Sequence, residues 1–508
     1  MTALHQILTD IFLYNPEKPL IFTRLFFWAF YFVVLLIYSG IYRQRAARNA
    51  FLFAASLFFY WKTSGLFFLI LVFSTFSDYY LGNLIHSARK RGWKLFGVTM
   101  SVVINLFMLS YFKYTYLFVD TVNALFNLDI EVVNHLAMWS NRLTGTHFEV
   151  SKILLPVGIS FYTFQTISYT VDVYRKKVDP VRHILDFGFY VSFFPQLVAG
   201  PIVRASEFVP QLYKRYSLSM EEFGFALFLI LKGLFKKMFI GDYIALNFVD
   251  RVFANPTGFS GFENLAALFG YSLQVYVDFS GYTDIAIGVA LLLGFRLPKN
   301  FNVPYKATSV GNFWKRWHIS LSSWLKDYLY IPLGGNRKGR IMTDVNLMIT
   351  MLLGGLWHGA SWQFVVWGGL NGVGLVVYKL WRRISPYEKS KHWAARFWKI
   401  LNTFLFITFT RIWFRSESME QANQLIRQVL HEFNASIIPN VLWSYRLVFG
   451  VMALGYFTHW VPERWKLWLL DSFTRTPLWA KVAVTVVMVF IIYQSWSADL
   501  QPFIYFQF

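Results

Sequence analysis

His358 lies in the middle of an uncharged stretch of 34 residues, Val345–Tyr378, bounded by Asp344 and Lys379. Its surroundings read Leu356-Trp357-His358-Gly359-Ala360-Ser361-Trp362. A polar imidazole in hydrocarbon is unfavourable unless partners or a water-filled cavity receive it, which makes an intramembrane histidine a functional-site candidate by default. Held away from water, an imidazole favours its neutral form, and neutral imidazole can take the proton from an attacking hydroxyl. That is the general base needed when an alcohol attacks a thioester, and it contributes about 10²–10⁴ in rate. Metal ligation is the competing role, with little support from a chain that has no cysteine and no second histidine at close helical spacing. The plainest alternative is a histidine hydrogen-bonded between helices.

His318 stands forty residues earlier, in Phe313-Trp314-Lys315-Arg316-Trp317-His318-Ile319-Ser320. It belongs to Arg296–Arg340, where nine Lys and Arg face one acid, Asp327. Aromatic residues are interleaved through this segment. The pattern predicts helices lying in the cytoplasmic interface, with lipid anchoring as the simpler role and a mouth for an anionic donor as the sharper one. Lys315, Arg316 and Lys326 are the candidate donor-binding residues. Further polar groups fall in apolar segments: Asp278, Ser280, Tyr282 and Asp284, together with Trp357 and Ser361 beside His358. The carboxylates read as partners of Lys or Arg, with proton handling as the alternative. Asp172 and Arg175 flank a membrane boundary and read as structural.

The elements that must hold these residues are apolar blocks. The chain has 508 residues, 56% hydrophobic and 20% aromatic, with 15% Asp, Glu, Lys or Arg, against roughly 25% in soluble domains. A spanning helix needs about 20 mostly apolar residues. The repeated blocks predict an all-α polytopic membrane protein of 11 to 13 transmembrane and re-entrant helices around a central cavity. The absence of cysteine excludes disulfides, thiolate metal sites and an acyl-cysteine intermediate on this chain. The formal charge of +21 fits basic cytoplasmic loops better than nucleic acid binding.

Spans are expected near Pro19–Tyr42, Ala50–Trp61, Leu66–Ile85 and Phe96–Val119, with a return over Ile153–Val173. The basic loops at 43–48 and 89–94 then share the cytoplasmic side, and the acidic loop with Asp120, Asp129, Glu131 and Glu149 lies outside. This places the N-terminus outside, with no cleavable signal expected. Further apolar segments fall near Ile184–Val198, Phe223–Ile240, Leu265–Phe295, Val345–His358, Trp362–Trp381, Trp398–Phe414, Arg446–Trp460 and Leu478–Tyr493. Pro156, Gly158, Pro195, Gly200 and Pro201 interrupt two of the segments after residue 150. Broken backbone at membrane depth is tolerated only inside protein or along a cavity. The 34 residues around His358 are too long for one straight crossing and barely enough for two. They predict either two short helices meeting at a turn that carries His358, or tilted helices carrying it into a cavity. No linker points to a separate domain, so residues 1–508 read as one membrane unit.

At these residues the sequence resembles the membrane-bound O-acyltransferase (MBOAT) family. Five stretches carry the resemblance: Ile153–Arg175, Phe194–Arg204, Gln274–Gly294, Asn312–Gly372 with its WHG triplet, and Arg411–Ser416. It covers about residues 50–430, with 296–340 as cytoplasmic interfacial helices and 431–508 as C-terminal helices. It is nearest the alginate O-acetylation (AlgI) branch, with the D-alanyl transferase DltB more distant. The resemblance implies a ring of helices around a funnel or tunnel, with His358 and His318 as the important histidines. It implies no bound cofactor. The expected donor is acetyl-CoA or another acyl thioester on the cytoplasmic side. The expected acceptor is a surface-polysaccharide hydroxyl outside the bacterial inner membrane, often reached through a partner acetyltransferase. D-alanyl transfer from a carrier protein to teichoic acid, or a transporter, are the alternatives. The transporter needs internal repeats, and none is evident.

Overall fold

The computed structural model describes residues 11–144 and 149–494. The expected outside N-terminus begins in residues 1–10, which lie outside the described residues, as does the end of the C-terminal segment, 495–508. Among the described residues the structure is helical without strands. Twelve helices have fifteen or more residues: α1 (Leu25–Ile41), α2 (Arg45–Ser64), α3 (Phe68–Ser87), α4 (Arg91–Leu109), α5 (Ile159–Tyr174), α6 (Met220–Leu234), α7 (Gly261–Leu292), α8 (Gly339–His358), α9 (Trp362–Ile384), α10 (Trp393–Arg415), α11 (Arg446–Trp460) and α12 (Leu478–Gln494).

Among the described residues, four helical stretches are long and apolar enough to cross a membrane: Arg45–Ser87, which a turn at Gly65 divides into two helices, Arg91–Phe126, Gly261–Leu292 and Trp362–Ile384. Ala435–Ser444 with α11, bent by 87°, makes a fifth if the pair is one broken span. The remaining long helices are shorter or carry charge. α10, for example, contains Arg396, Lys399, Arg411 and Arg415.

The expected hairpin of the second and third spans forms at Gly65, whose φ of 59° and ψ of −141° turn the chain. Only glycine adopts such a conformation at little cost. Asn49 on α2 donates to Asp186 at 2.8 Å, and Tyr79 on α3 donates to the Arg182 carbonyl at 2.9 Å. The start of α2 and the later half of α3 therefore lie beside one segment, and the two helices run antiparallel. α7 is the central element: 83% of its most apolar window is buried, against 28% for α9. A helix apolar on all sides belongs inside other helices, and one with a single packed face belongs at the periphery.

The broken segments find partners inside the protein. The return segment becomes helical only at Ile159, because Pro156 and Gly158 (φ 76°) precede it. Gly158 packs against the Leu197–Val198 backbone, where an added Cβ would stand 2.6 Å from the Leu197 carbonyl oxygen. Nearby backbone groups are met by side chains: the Phe194 N–H donates to Ser56 and the Ile202 N–H to Ser320, both near 3 Å. This is the condition under which irregular backbone persists at membrane depth.

Residues 296–340 differ from the expected interfacial helices. Their helical pieces are short, Pro304–Lys306, Val310–Trp314, Ile319–Leu325 and Lys326–Tyr330. Phe301, Tyr305, Phe313, Trp317 and Trp324 are buried rather than turned to lipid. Tyr305 and Trp317 pack against Tyr276 of α7, and Tyr305 also against Phe404 of α10. The rings of Tyr305 and Trp317 thus fill the space between α7 and α10.

Candidate active site

α8 ends at His358, Gly359–Ser361 turn the chain, and α9 starts at Trp362. Of the two geometries expected, the helix-turn-helix one forms. Both helices exceed the uncharged stretch because they run on through Asp344 and Lys379, which pair at 2.6 Å. Gly355 and Gly368 let the two backbones meet: a Cβ at Gly355 would stand 2.3 Å from the Phe364 carbonyl oxygen, and one at Gly368 2.4 Å from that of Met351. Small residues are what permit such approach between membrane helices.

The last carbonyls of a helix need donors. Here they come from the π-helical turn Ser110–Tyr114 that continues α4. Lys113 Nζ donates to the carbonyls of Trp357 (2.6 Å) and His358 (3.2 Å), and Tyr114 Oη donates to that of Leu356 (2.8 Å). The His358 ring, 2% exposed, meets Trp357, Trp367 and Phe414 edge to face at centroid distances of 5.0, 5.0 and 5.3 Å.

His318 caps the short helix Ile319–Leu325 with φ 44° and ψ 58°. A non-glycine residue in this left-handed region carries about 1–3 kcal/mol of strain, which packed surroundings must hold in place. Those surroundings are polar. Asn300 Oδ1 accepts from the Ser320 N–H (3.1 Å) and the Ser320 hydroxyl (2.9 Å), and it lies 3.2 Å from His318 Nδ1. Because the Ser320 N–H can only donate, the Asn300 atom facing it is oxygen. Nδ1 of a neutral His318 then carries the proton and its lone pair sits on Nε2. The ring packs on Phe279 of α7 (4.7 Å) and Trp357 (5.8 Å). Trp357 thus touches both histidines, and its indole N–H donates to the Ser160 carbonyl at 3.4 Å.

Sequence reasoning passed over Arg411 and Lys113 as site residues. Arg411 is 1% exposed, with its guanidinium 4.5 Å from the Trp317 ring centroid and 5.1 Å from that of Phe414. It therefore lies between the residue preceding His318 and a ring that contacts His358, and its charge acts on His358. The signal was present: a cation inside an apolar helix marks function or a specific partner.

The other sequence candidates lie elsewhere. Asp278 pairs with Lys237 at 2.5 Å, and Asp284 with Lys232 and Lys236 at 3.2 and 2.8 Å. Ser280 accepts from Lys236, and Tyr282 stacks on Phe22. Phe279 faces His318, so the carboxylates on either side of it along α7 point away from the histidines. Ser361 is the N-cap of α9 without a side-chain cap bond. Lys315 and Lys326 are exposed. Arg316 is held by the Asn312 side chain and the Asn302 carbonyl. Asp172 accepts from Tyr328 at 2.7 Å, and Arg175 donates to the Asp327 carbonyl.

Residues 178–416 match the family model described as MBOAT, membrane-bound O-acyltransferase family. The chain is 39% identical over 409 residues to the probable alginate O-acetylase AlgI of Pseudomonas syringae pv. tomato, covering 78% of this chain and 73% of that one. It is 35% identical over 436 residues to the peptidoglycan O-acetyltransferase of Helicobacter pylori, covering 80% and 78%. Similarity to the teichoic acid D-alanyltransferase of Bacillus subtilis is lower, 29% over 280 residues, covering 52% and 69%.

Proposed function

Because this chain belongs to the membrane-bound O-acyltransferase family, we propose that it moves an acetyl group from a cytoplasmic thioester, acetyl-CoA, to a hydroxyl of an extracytoplasmic surface polysaccharide. The protein is an O-acyltransferase and a multi-pass membrane protein. Its relatives act on alginate and peptidoglycan by name, which supports a surface polymer as acceptor. The proposed setting is the bacterial inner membrane, with the segment 296–340 on the cytoplasmic side.

The observation that carries the reading is the convergence of two histidines on one indole. His358 arrives at the end of α8 and His318 on a strained cap, and both contact Trp357. In the proposed step the acceptor hydroxyl gives its proton to His358 as its oxygen attacks the thioester carbonyl. The C–O bond forms, the C–S bond breaks, and the leaving thiolate takes the proton that His358 received, which returns His358 to its neutral form. His318, its Nδ1–H directed at Asn300, orients the donor or relays a proton. Arg411, held between Trp317 and Phe414, adds positive potential where negative charge develops on the carbonyl oxygen. Both histidine rings are enclosed.

The test is acetyl transfer in membranes containing the whole protein and its acceptor, supplied with labelled acetyl-CoA. His358→Ala should remain monodisperse in detergent and lose transfer; full transfer by that variant ends the proposal. Supplying a D-alanyl carrier protein in place of acetyl-CoA separates acetyl from D-alanyl transfer.

A further inference from the structure

His459 lies one residue before the end of α11 and is 3% exposed. Among the described residues neither of its ring nitrogens has a hydrogen-bond partner. A neutral imidazole has one donor and one acceptor, and burying them unmet is unfavourable. The ring packs against Tyr276 and Tyr305 at centroid distances of 4.9 and 5.3 Å, and neither ring meets its nitrogens with a hydrogen bond.

Cations gather around this ring. Lys306 Nζ donates to the Val461 carbonyl at 3.1 Å and Lys466 Nζ to the His459 carbonyl at 2.9 Å. Each ammonium has three donors, so one bond to a carbonyl leaves others for a ligand. Lys236 sits 5.6 Å from the Tyr276 ring centroid, and Lys466, Lys236 and Lys306 all act on His459 electrostatically. Arg316 and Arg396 act on Lys306 as well. The acids in reach are few: Asp284 is taken up by Lys232 and Lys236, and Glu463, which acts on Lys306 and Lys466, is exposed. Tyr276 and Tyr305 both continue to Trp317, the neighbour of His318. The cluster therefore stands on the same aromatic wall as the candidate active site.

We propose that this end of α11 is a subsite for a phosphate ester, received by His459, Lys306 and Lys466. The favoured source is the nucleotide phosphates of the thioester donor, which rests on the acetyl-CoA reading above. An anionic lipid headgroup offers the same chemistry.

The experiment uses the full chain in phosphatidylcholine nanodiscs. Binding of adenosine 3′,5′-bisphosphate is measured by calorimetry, which needs no turnover. His459→Gln and the double variant Lys306→Ala, Lys466→Ala should each bind it at least about ten-fold more weakly, the effect of losing a charge-assisted hydrogen bond. The ratio of kcat/KM for acetyl-CoA to that for phosphate-free acetyl-pantetheine should fall in parallel. If the bisphosphate does not bind, but the wild type retains phosphatidylglycerol through purification and the variants lose it, the subsite stands and its phosphate is a lipid's. If variants and wild type handle both probes alike, the subsite is ruled out, whatever the outcome of His358→Ala. If acetyl-CoA is no substrate while a phosphate probe still distinguishes the variants, the subsite stands without the donor reading.

Discussion

His318 and His358 meet the same indole, and both pack against aromatic rings, but the hydrogen bonds around them act at different places. Around His318 the scaffold is polar: Asn300 and Ser320 fix the ring and its tautomer, and a left-handed backbone aims it. Around His358, three aromatic edges fix the ring's place, while hydrogen bonds from Lys113 act on the backbone behind it. A hydrogen-bonded ring keeps its proton on one nitrogen. At His358 the aromatic edges fix the position of the ring. Under the proposed mechanism the first suits orientation of the donor and the second suits proton transfer.

The strongest test of this contrast removes the rings themselves. His358→Ala should lower acetyl transfer by about 10²–10⁴, and His318→Ala should lower it less; equal losses, read as kcat/KM in membranes, would erase the asymmetry. Next, Asn300→Ala leaves the Ser320 donors and His318 Nδ1 unmet, at about 1–3 kcal/mol for each buried group. It should lower the thermal midpoint and kcat/KM more than Ser320→Ala does. Lys113→Met keeps the chain length but withdraws the donor from the end of α8. Its effect should appear in kcat rather than donor KM, at about ten-fold, the worth of one hydrogen bond to a charged group. A change confined to KM would mean that Lys113 does not position His358. The smallest effect is expected from Arg411→Lys, which retains the charge but loses planar stacking on Trp317 and Phe414. It should destabilise by about 1–2 kcal/mol, read as a lower melting temperature, with residual transfer retained.

Much of this was legible in the sequence, for identifiable reasons. Uncharged runs marked the helices, and the small residues near His358 left a turn or tilted helices as the two alternatives, of which the turn forms. The helix ends were less legible, because α8 and α9 extend through charges that neutralise each other across the hairpin. The burial of Trp317 and Tyr305 was missed because a basic, aromatic segment has the same composition whether it lies on lipid or plugs a bundle. Lys113 and Arg411 stood in view within apolar segments. Their roles depend on partners about 245 residues away in one case and on two ring faces in the other, which spacing along the chain does not encode.

Lys113 lies outside the 178–416 region that matches the family model, yet it grips the end of α8. Any hybrid built by grafting that region onto another relative's N-terminal helices would separate the grip from what it holds. Successful exchange should require carrying residues 110–114 along with the grafted region, because the carbonyls of 356–358 need those two donors.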